Sequence, residues 1–330
     1  MYRVIFYEDG YEAVWDEFVL REDCVNGTFL QSRRFLNYHP QGRFIDASVI
    51  VLDDKDRLVA VCPACTSYEG DKKILFSHKG STFGGLIVSR KNYKTDKLLK
   101  IIEAFDKFIL DNGYHKIILK LTSNLFSNNE TELLEYLFTY KGYKQYTELS
   151  TYIDFSSYKE NIIANLEQGK RTHVNNCKKA GLVFKKLELD RDIEKFYDVL
   201  CENLSKFDTK PIHTLEELLE FKNKRLVDEC EFHGVFLEEE LVAGGMIFKF
   251  KQAKVLHAQY LAAKFSFNKL SPVTFLYYSL ILYAKEIGAE KLSWGISTEN
   301  CGKEINMGLI KSKESYNGRY SLNRTFYKEY

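Results

Sequence analysis

The sequence predicts a mixed α/β fold, of the α+β type, in which one structural unit occurs twice in tandem. Both halves of the chain give the same order of ten predicted strands and helices. Matching turns support the repeat, because Asp54 and Glu239 lie 185 residues apart and Gly113 and Gly288 lie 175 residues apart. Self-similarity at a nearly fixed spacing is typical of a duplicated unit.

Each element of the first half has its own sequence signal. Apolar residues recur at helical spacing in the predicted helices and form β-rich runs in the predicted strands. Asn112 and Gly113 end the long central helix. The predicted order is a strand (2–8), two helices (10–20 and 29–39), a hairpin (44–68), a strand (72–88), a helix (95–114), a strand (115–121), a helix (129–143) and a strand (144–155).

The second half repeats this order with different residues. Thr214 and Glu217 form a capping-box pattern that opens the second of its helices. The predicted order is a strand (182–189), two helices (192–207 and 214–230), a hairpin (232–250), a strand (254–265), a helix (271–289), a strand (290–296), a helix (302–314) and a strand (316–327). The resulting division is an N-terminal unit at 1–155, a linker helix at 156–181 and a C-terminal unit at 182–330.

The linker carries the clearest charge feature of the chain. Residues 169–187 include six Lys or Arg and no acidic residue. On a helix, Lys170 lies on one side, and Arg171 and Lys178 share a neighbouring side. Such a face is suited to binding the phosphate of a tRNA, a coenzyme A or a lipid-linked sugar. The alternative is a solvated basic face, which is the usual fate of a charge run.

The composition and charge of the chain exclude several classes of function. The chain has 330 residues and a formal net charge of +1, so it has no overall attraction to nucleic acid or anionic membranes. No apolar run reaches the roughly 18 residues that span a bilayer. Seven cysteines without a disulfide framework and an N-terminus without a signal-peptide pattern predict a cytoplasmic protein. Cys62 and Cys65 lack a second pair, so no metal site is expected.

One predicted strand of the second half contains several polar residues. In "VLHAQYLAA", alternation puts His257 and Gln259 on one face and Ala258 and Tyr260 on the other. Polar groups in a central strand need partners or a polar cavity. The alternative for His257 is a hydrogen-bonded core histidine, and for Tyr260 it is ordinary packing.

A second polar group follows the next strand. Ligands in open α/β sheets favour the carboxyl ends of strands, where neighbours diverge. The corresponding loop of the first half, "TSN" at 122–124, has no acid. The alternative is an N-cap cluster for the following helix. The loop of the second half contains Ser297, Thr298, Glu299 and Asn300.

The order of elements resembles the GNAT fold of N-acyltransferases, and two such units in tandem resemble the Fem-type peptidyltransferases. This resemblance covers nearly the whole chain. Its local anchors are "FLQSRRFLNYH", "KRTHVNNCKKAGLVF", "VLHAQYLAA" and "STENCGKEINMGLIKSKESYNG". The tandem units also resemble GNAT-domain proteins of bacterial envelope and polysaccharide gene sets.

The resemblance implies a reaction and its residues. An amine attacks the carbonyl of an acyl-CoA or aminoacyl-tRNA that enters the gap between the fourth and fifth strands of a unit, and a backbone N–H stabilises the oxyanion. Glu299 is then the candidate base and Tyr260 the candidate proton donor. The other residues predicted to bind substrates are His257, Gln259, Ser297, Thr298, Asn300, Lys170, Arg171 and Lys178.

One departure from the GNAT pattern concerns coenzyme A. GNAT enzymes that use acetyl-CoA carry a glycine-containing loop before the helix that follows the fourth strand, and its N–H groups hold the pyrophosphate. Here that segment is "KFSFNKLSPVTF", without a glycine. The sequence therefore favours an aminoacyl or other bulky donor, and predicts weak acetyl-CoA binding.

The sequence thus predicts an acyltransferase that moves an acyl or aminoacyl group to an amine on a sugar or a cell-envelope precursor. No tightly bound cofactor is expected, and acyl-CoA or aminoacyl-tRNA serves as co-substrate. No DNA partner is expected, and peripheral membrane contact stays open. The alternatives are a CoA-dependent N-acetyltransferase and a catalytically inactive GNAT-fold binding module.

Overall fold

A computed structural model of the chain describes residues 2–40, 42–127, 131–206 and 208–330. The chain divides into two compact units. The first comprises Met1–Glu148, Asn300–Gly302 and Ser321–Tyr330, and the second comprises Leu149–Glu299 and Lys303–Tyr320. Each unit therefore includes part of the last strand of the other half of the sequence. The boundaries at 155/156 and 181/182 remain a prediction.

The described residues form strands and helices in the following order. The strands are β1 Arg3–Phe6, β2 Ile45–Asp46, β3 Val49–Leu52, β4 Leu58–Cys62, β5 Cys65–Glu69, β6 Lys72–Ser77, β7 Ile87–Val88, β8 Lys116–Lys120, β9 Lys144–Asp154, β10 Val183–Lys186, β11 Cys230–Leu237, β12 Glu240–Phe250, β13 Val255–Ala263, β14 Lys291–Ile296, β15 Thr298–Glu299, β16 Glu304–Ile305 and β17 Arg319–Glu329. The α-helices are α1 Glu12–Leu20, α2 Arg33–Leu36, α3 Thr95–Asp111, α4 Glu132–Tyr140, α5 Gln168–Lys179, α6 Asp190–Ser205, α7 Leu215–Glu220, α8 Pro272–Glu286 and α9 Met307–Glu314.

The first unit contains a small antiparallel sheet in the order β1-β3-β4-β7. A second run of strands follows the order β17-β8-β6-β5-β2. Here β8 is parallel to β6 and antiparallel to β17. The apolar stripe predicted for α3 is buried against this unit's core, as shown by Leu98, Ile101, Ile102, Phe105 and Ile109.

The second unit repeats the arrangement in the order β10-β11-β12-β13-β14-β9. Here β14 is parallel to β13 and antiparallel to β9. The strands β8 and β14 therefore occupy equivalent positions, each between a parallel neighbour and the antiparallel final strand of a half. This equivalence confirms the duplicated fold predicted from the sequence.

The basic linker helix is shorter than predicted. The predicted helix covered 156–181, whereas α5 covers Gln168–Lys179 and follows two short 3-10 turns. The Asn165 side chain explains the late start, because its amide donates to the backbone carbonyls of Lys159, Asn161 and Ile162. Such side-chain bonds compete with helix formation.

Two other helices also differ from their predicted bounds. The helix predicted at 302–314 begins only at Met307, because the Asn306 side chain caps it by accepting from Leu309 N at 2.9 Å. The helix predicted at 214–230 is interrupted, since α7 passes into a π-turn at Phe221–Arg225. The predicted helix residues 129, 130 and 207 lie outside the described residues.

Gly302 lies where a side chain has no room. Its φ is +81°, and a Cβ built on it would be 1.9 Å from the carbonyl oxygen of Thr147. We expect Gly302→Ala to lower the free energy of unfolding by about 2 kcal/mol or more in urea denaturation. The control is Gly308→Ala in α9, where the nearest atom would be 3.7 Å away, and an unchanged or higher stability is expected there. Equal stability of the two variants would contradict this packing.

Candidate active site in the second unit

The two central strands of the second unit separate part of the way along. The parallel pairing of β13 with β14 runs from Val255 and Lys291 to His257 and Ser293 and ends there. On its other side, β13 shifts register against β12, where Met246 pairs with Tyr260 and Ile247 with Ala258. Gln259 is thus the extra residue of a bulge, and bulges bend a strand and re-aim its side chains.

His257 is a buried, neutral histidine at the point of separation. Its Nδ1 lies 3.1 Å from the Ser293 hydroxyl, which accepts from Gly295 N at 3.2 Å. Burial lowers the pKa of His257 to about 4, with a further lowering by the Lys313 charge and an opposing effect of a hydrogen bond with Gln259. This environment agrees with the alternative of a hydrogen-bonded core histidine.

The bulge interrupts the strict alternation predicted for residues 257–260. The Gln259 amide lies close enough to both His257 and Tyr260 to shift the pKa of each, although alternation places these two residues on opposite faces. The Tyr260 hydroxyl lies 2.6 Å from His213 Nδ1. Burial raises the pKa of Tyr260 to about 12, so the phenol keeps its proton at neutral pH.

Lys313 is the residue that sequence reasoning missed. It lies on α9 and is only 2 % exposed. Its ammonium donates to the carbonyls of Gly295 at 2.9 Å and Ile296 at 2.7 Å and to the Ser297 hydroxyl at 3.0 Å. Burial lowers the pKa of Lys313 to about 7. A buried cation thus stands at the end of β14, where the strands have parted.

The loop after β14 contains two buried residues that bond to a neighbouring strand and two exposed residues. Ser297 and Thr298 are buried and bond to the backbone of Leu149, Ser297 through its N–H and Thr298 by accepting from Leu149 N. Glu299 is exposed, and its carboxylate accepts from Asn306 Nδ2 at 2.8 Å. Asn300 is exposed and belongs to the first unit.

Two of the three basic residues predicted to bind substrates pack on aromatic rings. Lys170 is half-buried, lies 4.9 Å from the Tyr316 ring centroid and donates to the Ser312 hydroxyl at 3.3 Å. Lys178 donates to the Tyr278 hydroxyl at 3.1 Å. Arg171 is exposed. Burial lowers the pKa of Lys170.

The N-terminus of α8, where a coenzyme A pyrophosphate would lie in a glycine-loop enzyme, is covered by α5. His173 Nδ1 lies 2.7 Å from the Ser271 hydroxyl, and the Cys177 thiol donates to Leu270 O at 2.9 Å. The helix begins with Pro272, which has no N–H to offer an anion. This end of the helix is therefore poorly suited to holding a pyrophosphate.

The two faces of β14 differ in character. On the α8 face, the rings of Trp294 and Tyr277 lie 4.5 Å apart and those of Tyr277 and Tyr316 lie 5.0 Å apart. The opposite face carries Ser293 and its partner His257, both buried. Polar chemistry is therefore concentrated on the face away from α8, and at the end of the strand.

The first unit has a partly similar arrangement. Burial lowers the pKa of His78, just after β6, to about 4. Lys120, the last residue of β8, donates to Ser81 O at 2.8 Å, and burial lowers its pKa. However, the Thr122 hydroxyl accepts from Gln31 Nε2 at 2.6 Å and donates to Asn26 O at 2.8 Å, so this loop is committed to structure.

The described part of the chain contains neither a cluster of metal ligands nor a helix that could span a membrane. No group of three or more His, Cys, Asp or Glu residues there is placed to hold a metal ion. Among the same residues, no helix combines the length and apolarity that crossing a bilayer requires.

Comparison with known proteins identifies solved structures with a similar fold. No family model matches the chain, and no curated protein matches it. Among solved structures, FemX is similar with a TM-score of 0.69 at 11% identity, covering 98% of this chain and 96% of its own. A tandem GNAT protein from the clavulanic acid biosynthesis pathway gives 0.58 at 9% identity, covering 100% and 98%. L-PGS from Bacillus licheniformis gives 0.56 at 15% identity, covering 84% and 82%.

Proposed function

With the tandem GNAT fold as its framework, we propose that this protein is an acyltransferase that moves an acyl or aminoacyl group to an amine. The structural likeness to FemX and to a tandem GNAT protein supports the framework. The reaction is assigned to the gap between β13 and β14 of the second unit. The acceptor is proposed to be an amine on a sugar or a cell-envelope precursor.

The observation that carries this proposal is the buried Lys313 ammonium at the end of β14, beyond the point where β13 and β14 separate. Amine attack on an ester or thioester carbonyl creates an oxyanion. A fixed cation in a water-poor site stabilises that charge strongly, because little reorganisation is needed during the reaction. Beyond His257, β13 is no longer paired with β14, so its backbone borders the same gap.

The donor is proposed to be an aminoacyl ester rather than acetyl-CoA. Two observations support this choice: α5 covers the N-terminus of α8, and Pro272 removes an N–H from it. The positive charges of Lys170 and Arg171 on α5 suit the phosphates of a tRNA. We retain these two residues, with Lys178, as proposed donor contacts.

Glu299 remains the sequence-based candidate for the base, but its contacts favour a structural role. Its exposed carboxylate holds Asn306, the cap of α9. We expect Glu299→Gln to cost at most about 1 kcal/mol of stability and to leave turnover within about threefold of wild type. Rate measurements on the two proteins decide the point, since a loss of about 10²–10⁴-fold would assign the base to Glu299. In the expected case, a water chain takes the amine proton.

The proposed function is tested by a transfer assay with two donors. Acetyl-CoA and bulk tRNA charged with radiolabelled amino acids are each offered to the protein with glucosamine as a soluble amino-sugar acceptor. We expect label on the amino sugar from charged tRNA and little or none from acetyl-CoA. Efficient transfer from acetyl-CoA would favour the N-acetyltransferase, and transfer from neither donor would favour a binding module.

A further inference from the structure

A chain of polar contacts connects the gap to a distant loop of the second unit. It starts with hydrogen bonds from Gly295 N to the Ser293 hydroxyl and between that hydroxyl and His257, and continues through Gln259, whose amide affects the pKa of both His257 and Tyr260. It ends at His213, whose Nδ1 lies 2.6 Å from the Tyr260 hydroxyl. The chain therefore includes both strands that border the gap.

Donor and acceptor roles are assigned from the chemistry of the groups. Tyr260 is a neutral phenol with one hydrogen, and contacts with Gln259 and with the His213 backbone lower its pKa, as donors to its oxygen would. We assign the phenol hydrogen to His213 Nδ1, 2.6 Å away, and the ring proton of His213 to Nε2. With this assignment the Gln259 nitrogen is on the Tyr260 side and its oxygen is on the His257 side.

His213 is itself held firmly. It is 6 % exposed, and its ring packs edge-on against Phe221 with centroids 5.3 Å apart. The next residue, Thr214, is the N-cap of α7 and forms a capping box with Glu217. A well-packed anchor at this end restricts the orientation of the Tyr260 hydroxyl that it contacts.

We propose that His213 is a positioning residue that sets the geometry of the gap between β13 and β14 through Tyr260 and Gln259. This inference rests on the proposed function, because the gap is where acyl transfer is assigned. Without the Nδ1 acceptor, the phenol turns, the Gln259 amide loses its fixed orientation, and the bulge is free to shift. A displacement of about 1 Å near a reacting carbonyl is enough to slow a reaction about 10²-fold.

The test uses His213→Phe, which keeps an aromatic ring on Phe221 but lacks the acceptor, and His213→Asn, whose amide oxygen replaces Nδ1. We expect His213→Phe to lower kcat for transfer from charged tRNA to glucosamine about 10–100-fold with KM within about twofold, and His213→Asn to restore kcat to within about threefold. In a Tyr260→Phe background, His213→Phe should cause no further loss, because both changes break one chain.

Nitrogen NMR on protein labelled at histidine gives a second readout. The wild type should show His213 with an unprotonated, hydrogen-bonded Nδ1, and Tyr260→Phe should shift that signal. The inference is overturned if His213→Phe has normal kcat while Lys313→Met is slow, or if His213→Asn is as slow as His213→Phe. If Lys313→Met and His213→Phe are both as fast as wild type, the assignment of the reaction to this gap fails and this inference falls with it. If the wild type transfers nothing, the proposed function itself fails.

Discussion

The free energy of unfolding of the wild-type protein is expected to rise between about pH 7 and pH 9, by about 2–3 kcal/mol more than that of Lys313→Met. In the folded chain, burial lowers the pKa of Lys313 from 10.5 to about 7. Between these values the unfolded chain binds a proton that the folded chain has released, so raising the pH favours the folded state by about 1.4 kcal/mol per pH unit. Below about pH 7 both states are protonated, and this dependence disappears.

Urea denaturation at closely spaced pH values measures this difference. Other groups titrate in the same range, so the comparison with Lys313→Met is what isolates the lysine. Lys311→Met serves as the matched control, because Lys311 lies two residues away on α9 and is exposed. Its stability should follow the wild type across the pH range. Parallel curves for wild type and Lys313→Met would show that Lys313 is not buried as described.

Lys313→Met is also expected to lower the rate of acyl transfer by about 10²–10³-fold near pH 6.5. The methionine side chain has a similar length but removes the charge that we propose stabilises the oxyanion, and losing one oxyanion-stabilising group costs about 3–4 kcal/mol. The loss should appear in kcat, because the charge acts mainly on the transition state.

Rates of the wild type, Lys313→Met and Lys311→Met under single-turnover conditions check this expectation. The Lys311→Met control should react at the wild-type rate. Since Lys313→Met also leaves the carbonyls of Gly295 and Ile296 without their donor, its folding is confirmed first by circular dichroism and denaturation. A well-folded Lys313→Met that transfers at the wild-type rate would remove Lys313 from the reaction.

The fold was predictable from the sequence because its signals are local. The strand "VLHAQYLAA", the hairpin at 232–250 and the apolar stripe of α3 each depend on neighbouring residues, and each is present. Gln259 shows the limit of such reasoning, since a bulge depends on how β13 pairs with β12 and not on its own sequence. Strict alternation then places side chains on the wrong faces.

The sequence predicts a gap between β13 and β14, and their pairing does end at His257 and Ser293. The site that we propose there stays a prediction, and Lys313, on which the proposal depends, comes from α9 and has no signal in the sequence. Lys313 could not be distinguished from Lys311, because both are lysines on one short helix and only tertiary packing buries one of them. Glu299 attracted attention as an acid, while its contact with Asn306 depends on a cap that the predicted helix at 302–314 did not contain.

The most direct test of acyl transfer in this gap is the pH dependence of the single-turnover rate with charged tRNA and glucosamine. If the protonated Lys313 serves the reaction, the wild-type rate rises with pH as the acceptor amine loses its proton and then levels off or falls above about pH 7, where Lys313 becomes neutral. Lys313→Met should be slow and should rise steadily with pH, without that alkaline limit. Superimposable pH profiles for the two proteins, or no transfer by the wild type, would contradict the assignment of acyl transfer to this site.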